Sequence, residues 1–216
     1  MKPTIFDTLS ACVEKSGKFL MEDAPWENKD FYAAWLSQAC YYICHSTRLL
    51  ALTAANIPPN DNSMHYRFLK HCAEEKGHEN LPVMDMKAVG RDIANFPEFA
   101  VTQAFYQTQY YQIEHIHPHA FFGYILFLES LACDYGPKLS EKIEKIHGPK
   151  AISFLKVHSD ADIEHVRDAL ERVAKLPMEQ QMMVQENIKM TAELYWQLCQ
   201  QALEVGNNMG KIKKAA

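Results

Sequence analysis

Through most of its 216 residues the chain places apolar side chains three and four apart, and alternating β-branched runs bounded by turns are nearly absent. That period belongs to helices with one buried face, so the chain is expected to fold as an all-helical bundle. Punctuation sets the breaks. Ile57-Pro58-Pro59-Asn60-Asp61-Asn62 is a turn cluster, Asn80-Leu81-Pro82 ends one helix, and His117-Pro118 starts another. Gly136-Pro137 and Gly148-Pro149 bracket a short segment. Helices are accordingly predicted at about 4–22, 29–56, 64–79, 83–94, 97–115, 118–135, 138–146, 149–175 and 178–205. With no internal repeat and no low-complexity linker, residues 1–216 read as one domain.

Charge and cysteine usage narrow the function classes. Lys plus Arg is 22 against 27 for Asp plus Glu, a net charge of −5, and no basic run occurs before Lys211, Lys213 and Lys214. Nucleic acid is therefore not an expected partner. The most apolar stretch, 120–133, carries Glu129 inside it, and residues 1–15 contain no apolar core of signal-peptide length, so neither a membrane span nor secretion is expected. Cys12, Cys40, Cys44, Cys72, Cys133 and Cys199 are scattered with no CxxC pair, which reads as reduced thiols in a cytoplasmic protein.

The chemistry is concentrated in the histidines. His71, Glu75 and His78 stand at i, i+4 and i+7 of a predicted helix, within about 60° of one face. His158, Asp162 and His165 repeat the arrangement downstream. Random placement of ten histidines and 27 acidic residues would give roughly 0.06 such matches per chain, so two are not coincidence. Imidazole and carboxylate together suit iron, manganese or zinc. A third segment supplies Glu129, a carboxylate in an otherwise apolar helix, where a charge is costly unless paired or metal-bound. Glu74, four residues before His78, is an alternative to Glu75 as the acid of the first helix.

Other polar positions carry weaker signals. His115, His117 and His119 have ligand-like spacing, but Pro118 argues for a helix junction rather than a converging set. His45, Tyr106, Tyr110 and Tyr124 are either ordinary core residues or the walls of a substrate pocket.

These residues resemble those of the haem-oxygenase-like di-metal oxidases, in the superfamily that also holds the TenA thiaminases and the PQQ-synthesis protein PqqC. The resemblance runs from about Tyr41 to Ala169 through Tyr41-Tyr42-Ile43-Cys44-His45-Ser46, the first metal helix with Asp85 and Gly90 after it, Gly123-Tyr124-x4-Glu129, and His158-x3-Asp162-x2-His165. It implies a bundle of about seven main helices with a metal centre inside. One metal would be held by Glu75, His78 and His158 and the other by Asp162 and His165, with Glu129 reaching one or both. The chain departs from the family pattern in having His71 where an acid would stand seven residues before His78, which leaves His71 as a ligand or as a donor behind one. The proximal-histidine context of haem oxygenase itself is missing, so haem is not expected.

The activity implied is oxidative: two ferrous ions react with O2 and oxidise a small substrate held beside them, such as an amino acid, an amine or a fatty acid. Manganese and zinc remain open as alternatives to iron. The resemblance further implies a homodimer, and because the helical domain uses the whole length, any electron donor is expected to be external. Two competing readings stay in view, a metal-free TenA-like hydrolase of a thiamin-type pyrimidine with a cysteine nucleophile, and a non-catalytic helical binding protein.

Overall fold

The computed structural model describes the backbone of residues 3–215; the side chains at 159–163 and beyond 209 lie outside the described residues. Among the described residues the regular structure is helical throughout. The longer elements are α1 (Ile5–Lys18), α2 (Lys29–Ile43), α3 (Ser46–Asn56), α4 (Asn62–Glu74), α5 (Leu81–Ala88), α6 (Ala100–Tyr111), α7 (Phe122–His147), α8 (Ser153–Val173) and α9 (Met178–Ala215). Their starts follow local chemistry. Thr4 and Asp7 form a reciprocal capping box on α1, Asn28 caps α2, and Asp61 accepts from the Met64 amide to begin α4.

The core lies between α2, α7 and α9. Nearly every residue of α2 is buried, and Trp26, Phe31, Tyr32, Leu36, Phe105 and Phe127 are sealed from solvent. Gly123 lets α7 approach α9: a Cβ there would meet the Val184 carbonyl oxygen at 2.6 Å and the Ile188 amide at 2.7 Å. On the other flank α8 packs along α7. Helix α4 joins α7 and α8 through side chains, with Phe68 against Phe122, Arg67 against Asp168 and His71 against Glu129. The metal-ligand residue types sit in that seam.

Five boundaries differ from the sequence expectation, the first being α5, which ends at Ala88 rather than near 94. The 29–56 segment is two helices, because the chain tightens at Cys44–His45, where the His45 amide donates to the Tyr42 carbonyl at 3.0 Å. Segments 118–135 and 138–146 form one helix, α7, with Pro137 inside it. Proline in a helix interior removes one ladder bond, yet packing on α8 and α9 along this helix holds it together. The 64–79 segment ends at Glu74 in a turn through Gly77, whose φ of 93° suits glycine. His78 therefore stands in a short 3-10 turn rather than on the face it was expected to share with His71 and Glu75. Finally, α9 runs well beyond the expected end at 205.

Candidate metal centre

The turn at Gly77 changes the geometry of the first motif without dispersing it. Glu75 caps the C-terminus of α4, and its two oxygens reach in different directions: Oε2 lies 3.4 Å from His78 Nδ1 and Oε1 lies 3.7 Å from His71 Nε2. Facing them from α8, the His158 ring stands 5.0 Å from that of His78, centroid to centroid. Further along α8, His165 stands 4.5 Å from the His71 ring. Between the helices, Glu129 of α7 places Oε1 3.0 Å from His71 Nε2 and 3.6 Å from His165 Nδ1. Two groups thus form, Glu75 with His78 and His158, and Glu129 with His71 and His165, each with its ligand-type atoms within 4.8 Å of one another.

Both candidates for the acid of the first helix enter the seam. Glu75 faces His78, while Glu74 turns outward and meets His165 Nε2 at 3.0 Å. Neighbours on a helix point about 100° apart, which sends the two carboxylates to different groups. Asp162 belongs to α8 between the two histidines, but its side chain lies outside the described residues.

Hydrogen bonds assign different tasks to the histidines. His158 Nδ1 contacts the Phe154 carbonyl of its own helix at 2.8 Å. A carbonyl only accepts, so this nitrogen carries the proton and Nε2 keeps the lone pair, the arrangement typical of a metal-binding imidazole. Burial also lowers the pKa of His158 and keeps it neutral. For His71 the sense is opposite. Arg67 Nη1, which has donors only, lies 3.2 Å from His71 Nδ1. Against its burial, hydrogen bonds to Glu129 and Glu75 raise the His71 pKa to about 9, so Nε2 carries a proton toward Glu129. His71 in this arrangement orients the Glu129 carboxylate. Arg67 is fixed in turn by Asp168 of α8 at 3.2 Å.

The carboxylates are ionised. Burial pushes the Glu129 pKa up, but hydrogen bonds from His165 and His71 and the nearby Arg67 charge hold it below the usual carboxylate range. Glu75 behaves alike, since hydrogen bonds from His71 and His78 overcome its burial, and its pKa falls well below the ordinary value. The Glu75 hydrogen bond raises His78. Glu129 Oε2, fully buried, has no hydrogen-bond partner among the described residues. A buried carboxylate oxygen without a donor is costly, and a cation between Glu129 and the histidines would satisfy it. The donor set and this orphaned oxygen both fit a metal ion.

An apolar cavity of about 120 Å³ opens beside these residues. His71, Glu75, Glu129 and His158 line it together with Tyr124, Leu128, Phe154 and Tyr195 among others. On the outer side of His71 and His165 lies a polar groove bordered by Lys70, Glu74, Asp168 and Arg172. The cluster forms the partition between them.

Of the four residues considered for a pocket wall, Tyr124 lines the cavity, whereas His45, Tyr106 and Tyr110 are not among its lining residues. They make their own cluster: His45 stacks on Tyr106 at 3.8 Å and bonds the Tyr110 hydroxyl at 2.9 Å. His117 and His119 share Gln180 of α9, a junction that ties the entry of α7 to the last helix. Arg67 escapes sequence reasoning, and Asp85, present in the resemblance, has no role assigned from sequence. Arg67 carries only the faint signal of standing four residues before His71. Asp85 of α5, fully buried, accepts from the amides of Ser153 and Phe154 at 2.9 Å and from the Ser153 hydroxyl, capping the helix that presents His158.

The helical fold has counterparts among solved structures. A protein of unknown function with a heme oxygenase-like fold from Shewanella denitrificans aligns over 96% of this chain and 94% of its own, at 17% identity and a TM-score of 0.80. A TenA homologue from Pseudomonas syringae pv. tomato aligns over 93% and 91%, at 10% identity and a TM-score of 0.75. A CADD-like protein of unknown function from Nostoc punctiforme aligns over 91% and 95%, at 14% and 0.62. The fold is therefore haem-oxygenase-like. Residues 33–196 match the family described as iron-containing redox enzyme, and the chain belongs to that family. No curated protein sequence matches it.

Proposed function

We propose that the protein is an iron-dependent oxidase or oxygenase that activates O2 at a pair of His/carboxylate sites and oxidises a small organic substrate. The observation that carries this reading is the pair of His/carboxylate groups, Glu75 with His78 and His158 and Glu129 with His71 and His165, beside an apolar cavity, with Glu129 Oε2 lacking a hydrogen-bond partner among the described residues. Glu75, His78 and His158 would hold one ion, and Glu129 and His165 a second. Bound ferrous iron would supply electrons to dioxygen and a coordination position for it. The chain's own residues prepare the site. His158 offers a neutral imidazole nitrogen because its other nitrogen is tied to Phe154. His71, backed by Arg67, steadies Glu129. The apolar walls keep bulk water from the reacting atoms.

The TenA-like alternative needs a thiol at the cavity, and among the described lining residues there is no cysteine. The test is anaerobic loading with Fe(II), elemental analysis, and oxygen consumption on addition of aerated buffer and an external reductant. About two irons per chain with oxygen uptake supports the proposal. Uptake of zinc or manganese alone, with no oxygen reaction, would overturn it.

A further inference from the structure

We propose that Cys44 and Cys40 are a peroxide-reactive thiol pair, Cys44 attacking hydrogen peroxide and Cys40 resolving the product to a disulfide, and that closure of the pair releases the turn carrying His78. The thiol chemistry stands by itself, and its consequence for iron rests on the reading of His78 as a ligand.

Helix α2 sets the pair. Cys40 and Cys44 stand four residues apart on one face, at its C-terminal end. Four residues of helix separate Cα atoms by about 6 Å, within the range of about 4.4–6.8 Å that a disulfide spans. The two thiols share a hydrogen bond. Cys40 is buried and Cys44 half-buried, so the oxidant meets Cys44 first and Cys40 waits behind it. Side chains four apart on an intact helix hold their Cβ atoms about 5–6 Å apart, which is too far for a bridge without movement. Cys44, however, is the cap of α2, where the chain already tightens: its amide donates to the Cys40 carbonyl at 3.1 Å and the His45 amide to the Tyr42 carbonyl at 3.0 Å. The bridge therefore closes by unwinding one terminal turn and leaves the helix body intact. The surroundings favour the thiolate. Arg48 donates to the Cys44 carbonyl. The Cys40 hydrogen bond first, and the Arg48 charge after it, bring the Cys44 pKa down to about 7 against burial and Glu79, whereas burial pushes the sealed Cys199 up to about 12. An accessible thiol of low pKa beside a resolving thiol is the arrangement peroxide oxidises.

In the first step the Cys44 thiolate attacks one peroxide oxygen and the O–O bond breaks. The departing hydroxide takes up a proton in place of the one Cys44 released, giving water and a sulfenic acid. The Cys40 sulfur then displaces the hydroxyl group from Cys44, and the Cys40 proton leaves with it as a second water. Two thiols lose two electrons and the peroxide gains them. The effect on the turn follows from one contact. Cys40 Sγ donates to the Glu79 carbonyl at 3.6 Å, and Glu79 follows His78 in the short 3-10 turn. A disulfide has no proton to donate, so this tie between α2 and the turn is lost.

The test exposes the metal-free chain to equimolar hydrogen peroxide at neutral pH, removes the excess with catalase, alkylates, and maps tryptic peptides by mass. No lysine or arginine lies between Lys29 and Arg48, so one peptide carries both cysteines and should appear unalkylated and two hydrogens lighter. Cys44 should react about tenfold faster than Cys72 or Cys133. Dimedone should trap a sulfenic acid at Cys44 in Cys40→Ser, Cys44→Ser should abolish the reaction, and Arg48→Ala, at an exposed position, should slow it severalfold, with circular dichroism confirming each fold. Anaerobic Fe(II) titration of the oxidised chain should show about tenfold weaker binding than the reduced chain, restored by a phosphine reductant. Alkylation of both cysteines after peroxide, or a Cys44 no faster than Cys72, overturns the proposal, and a disulfide that leaves iron affinity unchanged overturns its link to His78. A reduced chain that binds no iron yet forms the disulfide loses the oxidase reading alone, and one that binds iron but forms no disulfide loses this inference alone.

Discussion

Two buried polar clusters in this bundle differ in composition and in how they are satisfied. Between α6 and α9, the Asn187 amide donates to Gln109 Oε1 at 2.9 Å and the Thr191 hydroxyl donates to Asn187 Oδ1 at 3.0 Å. Nearby, Gln38 of α2 accepts from the Phe99 amide and the Thr102 hydroxyl and donates to the Pro97 carbonyl. These neutral groups close on one another and pin helices together. In the seam of α4, α7 and α8 the groups are ionisable, and among the described residues Glu129 Oε2 is left without a donor. A polar cluster that satisfies itself is architecture; one that leaves an ionised oxygen bare is complete only with a ligand.

Substitutions in the two regions should separate stability from metal binding. His158→Ala removes a neutral imidazole ligand and should weaken iron binding by more than about 100-fold, beyond what loss of an outer partner costs, with the far-UV spectrum unchanged. Titration with Fe(II) under anaerobic conditions measures it, and near-normal affinity would remove His158 from the site. Gly123→Val should do the reverse. Its side chain meets the α9 backbone, so urea unfolding should show a loss of about 3 kcal/mol, while the folded fraction still binds iron at the native ratio. Asp85→Ala lies between the regions. Losing the cap of α8 should cost about 1–2 kcal/mol and, because that helix presents His158 and His165, weaken iron about tenfold.

The smallest effect is on pH. Hydrogen bonding to Glu75 raises the His78 pKa in the metal-free fold. That pairing stabilises the metal-free chain fully below the unfolded histidine value near about 6.5 and is lost as pH rises through the folded value. Iron bound at the proposed site would displace the same proton. Melting temperatures between pH 6.5 and 8.5 should therefore drift down for the stripped protein and separate increasingly upward for the iron-loaded one. Parallel curves would show that no proton is displaced.

The sequence made the helical class legible through its three-four period, and made the metal-type residues legible because their spacing departs so far from chance. Its errors have local causes. Nothing at Cys44-His45 resembles a breaker, so the α2–α3 break was invisible, while Gly136-Pro137 looked like a break that the packing of α7 overrides. Gly77 was visible as a residue, but its left-handed turn, and hence the swing of His78 off α4, depends on where the next segment must go.

What the residues determined by themselves is therefore short-range: helix period, caps, and ligand types held within eight positions of one another. Only the tertiary structure decided that Glu129 meets residues 58 positions before and 36 positions after it, that Arg67 stands beside His71, and that an apolar space lies beside them. The reason is physical. Periodicity and capping act over one or two turns of backbone, whereas the seam between α4, α7 and α8 is set by how the whole core packs, including the close approach that Gly123 permits between α7 and α9.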